Sequence, residues 1–289
     1  MKSKYTALML LAGIIGAVLR SITLLNGYEA ESGLPVRGYV PAVILIVLTA
    51  AVIIAACVWS AKKFQEHKEF EQLFGGNSGA NTMIGVICGA VNIVIGLFGL
   101  LGVDDLVFEQ TKDYVSNGIG IVAFIALLWL LCLISGIMMI AFSLWQKQGQ
   151  EASKKTGLYL TVPLFWCCLD LIMIYHENSG NPVISDYSYQ LLLTIAVMAG
   201  FYAMAAFLFS NGSTARFVMA SGVALYLSLT QGVGTLIAHI ANGSSIFVIP
   251  GLYDLSNIQL GDTLRMWAYL AAAVFLLLQL MRVNKAYQE

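Results

Sequence analysis

Two charged residues lie inside long apolar stretches of the chain, and both are candidates for chemistry. Arg20 lies in the second half of the first apolar stretch, and Asp170 lies in the second half of the fifth. An ionised side chain inside a membrane is costly, so it is a functional candidate by default. An arginine and a carboxylate that meet in such surroundings form a bidentate, specific pair. The first and fifth stretches are equivalent in the internal repeat described below, so we expect Arg20 and Asp170 to meet across its pseudo-twofold axis.

Three interpretations of this predicted pair stay open. It is a structural contact that orients two parts of the protein, or a gating or substrate-coordinating pair. In the third, Arg20 reaches the outer headgroups, and Asp170 is protonated or bound elsewhere. Three further polar residues join the ligand or gating candidates: Asn92, Gln231 and His239. The alternative for Asn92 and Gln231 is a hydrogen bond between helices, worth about 1 kcal/mol. The alternative for His239 is a ring at the membrane interface.

Motifs for other chemistry are absent from the sequence. It contains no His-Glu-x-x-His, no Gly-x-Ser-x-Gly and no Walker A loop. Its 3 histidines lie in different segments, and its 5 cysteines lie in apolar stretches without a Cys-x-x-Cys motif. We predict no catalytic residue, no metal site and no cofactor, and an enzyme is the less favoured class. No basic, aromatic-rich patch indicates nucleic acid.

The composition identifies the elements that must position these residues. The chain is 59% hydrophobic and 11% charged, whereas soluble domains carry roughly 25% charged residues. A bilayer core of ~30 Å requires ~20 apolar helical residues. The sequence predicts an all-α polytopic membrane protein whose eight transmembrane helices cover 5–26, 39–61, 82–103, 117–145, 157–176, 187–210, 214–240 and 263–283.

One nine-residue pattern occurs twice and predicts an internal repeat. The stretch 28–36 reads Tyr-Glu-Ala-Glu-Ser-Gly-Leu-Pro-Val, and 175–183 reads Tyr-His-Glu-Asn-Ser-Gly-Asn-Pro-Val. We predict two four-helix halves, 1–146 and 147–289, inserted the same way up as parallel pseudo-repeats. The alternative is that two outer turns use the same turn residues independently. The predicted turn residues are Gly33, Pro35, Gly180 and Pro182.

The distribution of positive charge predicts the orientation. One side of the predicted topology holds 11 Lys and Arg residues and the other side holds 3, namely Arg37, Lys112 and Arg265. Under the positive-inside rule both termini are cytoplasmic, and we expect an inner or plasma membrane. The outer side is acidic and rich in tyrosine. One interpretation is that this acidic surface attracts cations. The other is that the positive-inside rule keeps Lys and Arg off this side, so that acidic residues and an aromatic belt remain there.

Two segments outside the predicted spans are unusual. The segment 61–74 predicts an amphipathic helix on the cytoplasmic surface, with Phe64, Phe70, Leu73 and Phe74 facing lipid. The loop 241–262 is apolar, and we expect it to dip into the interface or to cap the outer side.

Three classes of function fit these observations. The favoured class is a protein that binds or translocates a small molecule or ion from the acidic, tyrosine-rich outer side. The second is a non-catalytic membrane subunit or scaffold of a larger complex. The third is an intramembrane enzyme acting on a lipid or quinone. The expected partners are the lipid bilayer and either a partner membrane subunit or a second copy of the chain.

Overall fold

The described part of the protein is almost entirely helical. The computed structural model describes residues 3–29, 34–64, 68–75, 79–106, 119–149, 154–179, 183–209, 212–241 and 260–288. Its helices are α1 (Ser3–Asn26), α2 (Val40–Lys63), α3 (Phe70–Phe74), α4 (Gly79–Leu101), α5 (Ile119–Gln148), α6 (Lys154–Glu177), α7 (Ile184–Phe209), α8 (Thr214–Ala241) and α9 (Leu260–Ala286).

All the described helices except α3 are long and apolar enough to cross a membrane, which makes eight within the described residues. Large apolar side chains cover the outside of the bundle, among them Leu11, Val47, Met83 and Leu101, which are 61–77% exposed. A soluble monomer rarely exposes so much contiguous apolar surface. The prediction of an all-α membrane protein with eight spans is confirmed.

Helix α9 lies at the centre of the bundle. It packs against α4, α7 and α8, and less extensively against α1. In its most apolar stretch 72% of the residues are buried, whereas the corresponding value for α2 is 22%. Alanines at positions 268, 271, 272 and 273 keep this helix thin, and all four are buried. Most polar residues of α9 are therefore enclosed by protein rather than lipid, namely Thr263, Arg265, Tyr269, Gln279, Arg282 and Asn284.

The other helices surround α9 largely in chain order. Helix α4 packs on α5, α5 on α6, α6 on α7 and α7 on α8, while α1 and α2 pack on each other and on α8. Eight crossings put both chain ends on one side of the bundle, here called the terminal side. Asn284 accordingly donates a hydrogen bond to Thr6 at 2.8 Å. The other face is called the opposite side.

Helices α4 and α5 are in backbone contact through glycines. A Cβ atom at Gly89 would lie 2.6 Å from the Gly136 carbonyl oxygen, and one at Gly96 would lie 2.6 Å from the Leu133 nitrogen. Small residues at such positions allow helices to approach closely inside a membrane. The glycines at positions 89 and 96 therefore let the backbones of α4 and α5 touch.

The lipid-facing prediction for the segment 61–74 is wrong. Helix α2 continues to Lys63, and α3 is a separate helix. Phe64, Phe70, Leu73 and Phe74 are buried inside the bundle, each at most 6% exposed. The apolar face was recognised correctly, but it packs against other helices, because the bundle leaves room for aromatic rings at its terminal side.

Of the predicted turn residues, the structure describes only Pro35. Tyr28 and Pro35 form an antiparallel bridge, and the amide of Glu29 donates to the carbonyl of Leu34 at 2.9 Å. This pairing holds the segment after α1 beside the segment that leads into α2. Gly33, Gly180 and Pro182 lie outside the described residues, as does 242–259 of the predicted interfacial loop.

Candidate functional site

The first turns of α9 present three polar side chains along one face of the helix. Asp262, Arg265 and Tyr269 are separated by three and four residues, a spacing that places them on the same face. This face lies against α6 and α7, near the opposite side. The side chain of Arg265 is 4% exposed, so its guanidinium needs partners within the protein.

Three carboxylates share the Arg265 guanidinium. Nε donates to Asp170 Oδ1 at 2.7 Å. Nη1 and Nη2 donate to the two oxygens of Glu177 at 2.5 and 2.6 Å, a bidentate arrangement. Nη1 also lies 3.5 Å from Asp262 Oδ1. We call Asp170, Glu177, Asp262 and Arg265 the Arg265 cluster.

The second oxygen of Asp170 is held from the interior of the bundle. The Tyr269 hydroxyl donates to Asp170 Oδ2 at 2.6 Å. The Tyr269 ring stacks on Trp166, with centroids 4.9 Å apart and planes at 27°. Asp170 is 1% exposed, so both of its oxygens are bound without contact with solvent. This part of the cluster is rigid and dry.

The other two carboxylates are more accessible. The Glu177 side chain is 23% exposed and that of Asp262 is 44% exposed. Gln190 Nε2 donates to Asp262 Oδ1 at 3.0 Å, which links α7 to the cluster. The cluster therefore extends from a buried end at Asp170 to an accessible end at Asp262. Access is from the opposite side, because Glu177 ends α6 and Asp262 begins α9.

The cluster carries more negative than positive charge. With all groups ionised, one guanidinium faces three carboxylates. Neighbouring like charges repel strongly where the dielectric constant is low, so the cluster as a whole favours positive charge close to its carboxylates. Within the described residues, no group of three or more His, Cys, Asp or Glu side chains could hold a metal ion.

The predicted Arg20–Asp170 pair is wrong. Asp170 binds Arg265 and Tyr269, whereas Arg20 Nε donates to Gln231 Oε1 at 3.1 Å. The Arg20 guanidinium carbon also lies 5.0 Å from the centroid of the Tyr189 ring, a cation–π contact. The physical reason is proximity: α9 lies between the helices and supplies a nearer cation to Asp170 than α1 does.

Arg20, Gln231 and Tyr189 form a second group, here called the Arg20 cluster. Gln231 lies in a short π-helical segment, Leu229–Val233, within α8. Such segments are frequent at functional sites. The Thr49 hydroxyl lies 3.3 Å from the Tyr189 hydroxyl and 2.8 Å from the Tyr226 hydroxyl, which connects α2 to this group.

The two clusters meet at consecutive residues of α7. Tyr189 contacts Arg20, and Gln190 contacts Asp262. Arg20, Asp170 and Gln231 thus belong to two adjacent polar groups in the half of the bundle nearer the opposite side. The structure brings two sequence candidates, Arg20 and Gln231, into direct contact.

Asn92 and His239 stand apart from these clusters. Asn92 is fully buried between α4 and α5, where its Nδ2 atom lies 3.3 Å from Met139 Sδ. His239 is half-buried in the last turn of α8. Neither contacts either cluster within the described residues.

Sequence reasoning missed Arg265, Glu177 and Asp262 as site residues. The predicted topology assigns all three to the outer surface. A signal was present for Arg265, because it lies inside the predicted span 263–283 and three residues after Asp262. Glu177 carried no such signal, because it ends a span at the level where charged residues are ordinary.

Comparisons with protein-family models, curated proteins and solved structures find no significant match to this chain.

Proposed function

We propose that the protein binds a small cationic molecule or ion at the Arg265 cluster, from the opposite side, and translocates it. One observation carries this proposal: a single buried guanidinium is shared by three carboxylates, two of which are accessible. Arg265 acts as a tethered cation that occupies the carboxylates. An incoming cation competes with it for Glu177 and Asp262, while Asp170 and Tyr269 hold the Arg265 side chain in place.

The test is thermal unfolding of the purified protein in nanodiscs, with Na⁺, K⁺, methylammonium or guanidinium at millimolar concentration and constant ionic strength. A cation that binds the folded state raises the unfolding midpoint in a saturable manner. We expect this shift to be lost in Asp170→Asn and Glu177→Gln. Asp104→Asn is the matched control, because this exposed acid follows α4 on the same side. A shift that survives both cluster variants contradicts the proposal.

A second measurement addresses movement of the cation. Proteoliposomes that contain the wild-type chain should accumulate the cation that gave the thermal shift. We expect Glu177→Gln to lose accumulation while the protein remains folded. Binding without accumulation would reduce the proposal to ligand binding alone.

The membrane-subunit alternative is favoured by the position of α2. Among the described helices, α2 makes extensive contacts only with α1 and α8. Its side chains Val43, Ile46, Val47 and Ile54 are 51–64% exposed. A partner helix or a second copy of the chain could cover this face in place of lipid. Native mass spectrometry after gentle extraction at native expression would detect such a partner at fixed stoichiometry.

We propose that the termini face the cytoplasm and that the chain lies in an inner or plasma membrane. The support is the excess of Lys and Arg on the terminal side. The structure strengthens this argument, because it buries Arg265 and so removes one of the three positive charges assigned to the outer surface.

We also infer that the halves 1–146 and 147–289 descend from one four-helix unit, on the evidence of the repeated stretches 28–36 and 175–183. The proposed equivalents α5 and α9 differ in burial. In the most apolar stretch of α5, 33% of the residues are buried, whereas in that of α9 the share is 72%. A duplicated unit has therefore diverged in packing.

A further inference from the structure

Helix α3 fills the terminal side of the bundle. It has five residues and two distinct faces: Phe70, Leu73 and Phe74 are buried, whereas Glu71 and Gln72 are exposed. The Phe74 ring lies 5.8 Å from that of Phe207 and 5.1 Å from that of Phe217, so it contacts α7 and α8.

The Phe70 ring adds contacts to a third long helix. Its centroid lies 6.3 Å from that of Phe142 and 5.6 Å from that of Trp145, both on α5. The short helix thus joins α5, α7 and α8 through aromatic rings. The rings of Phe70, Phe142 and Trp145 are buried at the end of the bundle away from the Arg265 cluster.

Polar side chains hold α3 by its backbone. Gln146 Nε2 and Arg282 Nη1 donate to the Phe74 carbonyl at 2.9 and 3.2 Å. Gln146 Nε2 also donates to Gln279 Oε1 at 2.7 Å. Just before α3, Lys68 Nζ donates to the Ala286 carbonyl at the end of α9 and lies 4.7 Å from the centroid of the Tyr287 ring.

These contacts are of a kind that can be broken and remade. A helix of five residues is not stable alone, so its position depends on the surrounding side chains. Its exposed face is already polar, and two side-chain donors, Gln146 and Arg282, hold its Phe74 carbonyl. No covalent or backbone ladder bond joins α3 to the long helices within the described residues.

Polar groups also occur at both ends of the central helix. Arg265 and Tyr269 lie in the half of α9 nearer the opposite side, and Gln279 and Arg282 lie in the half nearer the terminal side. The first pair belongs to a cluster that is accessible, whereas the second pair is covered by α3. A translocated ligand requires the covered end to open, as lids and gates do in other proteins.

We propose that α3 is the gate of the terminal side, and that it leaves its position between α5, α7 and α8 to release the ligand. This inference rests on the proposed function for its purpose, but the movement of α3 is measurable without transport.

The first experiment measures access to a buried thiol. Ser143→Cys places the thiol one turn deeper than Gln146 on α5, at a residue that is 1% exposed. The reagent is a water-soluble maleimide applied to the protein in nanodiscs, and Lys147→Cys supplies the rate at an exposed site. If the open state of α3 has a population of about 0.1–10%, the Ser143→Cys thiol reacts about 10- to 1000-fold more slowly than the thiol of Lys147→Cys.

Loosening α3 should raise that rate. We expect Phe74→Ala to accelerate labelling of Ser143→Cys by about tenfold or more, because it raises the population of the open state. Phe201→Ala is the matched control, since it removes an equally buried ring outside the α3 contacts. If Phe74→Ala does not fold, Lys68→Ala replaces it in this experiment. That variant removes only the contacts of Lys68 with Ala286 and Tyr287 near the surface. Unchanged labelling in a folded α3 variant would overturn the proposal.

The second experiment holds α3 in place. A short bis-maleimide joins Lys68→Cys to Tyr287→Cys, and the same protein with two mono-maleimides is the control. We expect the cross-link to stop proteoliposome uptake of the cation while the cation still raises the unfolding midpoint. Equal uptake by the cross-linked and control proteins contradicts the gate. The absence of any cation effect in wild-type protein contradicts the proposed function instead, and thiol labelling then decides the gate alone.

Discussion

Arg265 and Glu177 form a bidentate ion pair, at 2.5 and 2.6 Å, that joins the start of α9 to the end of α6. The pair is separated by 88 residues in the chain. It fixes the guanidinium plane, so that Nε is left to bind Asp170 deeper in the bundle.

Removal of Arg265 should destabilise the protein more than removal of any one carboxylate. Arg265→Met leaves three carboxylates without their shared cation, whereas Asp170→Leu leaves Arg265 bound to Glu177. Breaking a buried ion pair typically costs about 3–5 kcal/mol. Unfolding in mixed micelles should show the larger loss for Arg265→Met. The double variant should lose less than the sum of the two, and additive losses would argue against a shared pair.

Tyr269→Phe should isolate the hydrogen bond to Asp170. The substitution keeps the ring that stacks on Trp166 and removes only the hydroxyl. A hydrogen bond to a charged group contributes about 1.5–3 kcal/mol, so we expect a loss of free energy of unfolding in that range. Tyr202→Phe is the control, because its side chain is 57% exposed at the outside of the bundle. Equal effects of the two substitutions would contradict the assignment.

Arg20 should be energetically coupled to Gln231 and not to Asp170. We expect a double-mutant cycle with Arg20→Met and Gln231→Leu to give about 1.5–3 kcal/mol, the range for a hydrogen bond to a charged group. The cycle with Arg20→Met and Asp170→Leu should give less than about 0.5 kcal/mol, the range for groups that share no contact. A larger coupling in the second cycle would restore the pair expected from the sequence.

Gly89→Ala should separate α4 from α5. The added methyl would lie 2.6 Å from the Gly136 carbonyl oxygen, and that backbone cannot move aside cheaply. Overpacking of this kind costs about 1–3 kcal/mol. Gly120→Ala on α5 meets nothing within 4 Å and is the matched control. The measurement is the thermal unfolding midpoint of the two variants. A lowered midpoint for Gly120→Ala with an unchanged midpoint for Gly89→Ala would refute the close contact.

The eight spans were predictable because the bilayer imposes a local rule. A hydrocarbon slab requires a run of apolar residues of sufficient length, and the predicted run 157–176 corresponds to the observed Lys155–Glu177. The close approach at Gly89 was predictable for a similar reason, since glycine spacing along one helix is visible in the chain. Neither inference needs to know which helix is the neighbour.

The partners of the charged residues were not predictable in this way. The sequence shows that Arg20 and Asp170 are buried in membrane spans, but hydrophobicity is equally satisfied whichever helices stand side by side. Arg265 was counted as an outer charge, although the bundle buries it at 3% exposure. Similarly, the apolar face of Phe70 and Phe74 is visible in the sequence, but its neighbour, lipid or protein, is not.

By itself, the amino-acid sequence determined that this chain is a bundle of eight membrane helices with buried polar groups, because composition and run length act within single segments. Only the tertiary structure decided that α9 lies at the centre, that Arg265 binds Asp170, Glu177 and Asp262, and that α3 packs against α5, α7 and α8 at the terminal side. Those outcomes depend on which helix surfaces fit together, and a pairing between residues 88 or 95 positions apart leaves no periodic signal in the chain.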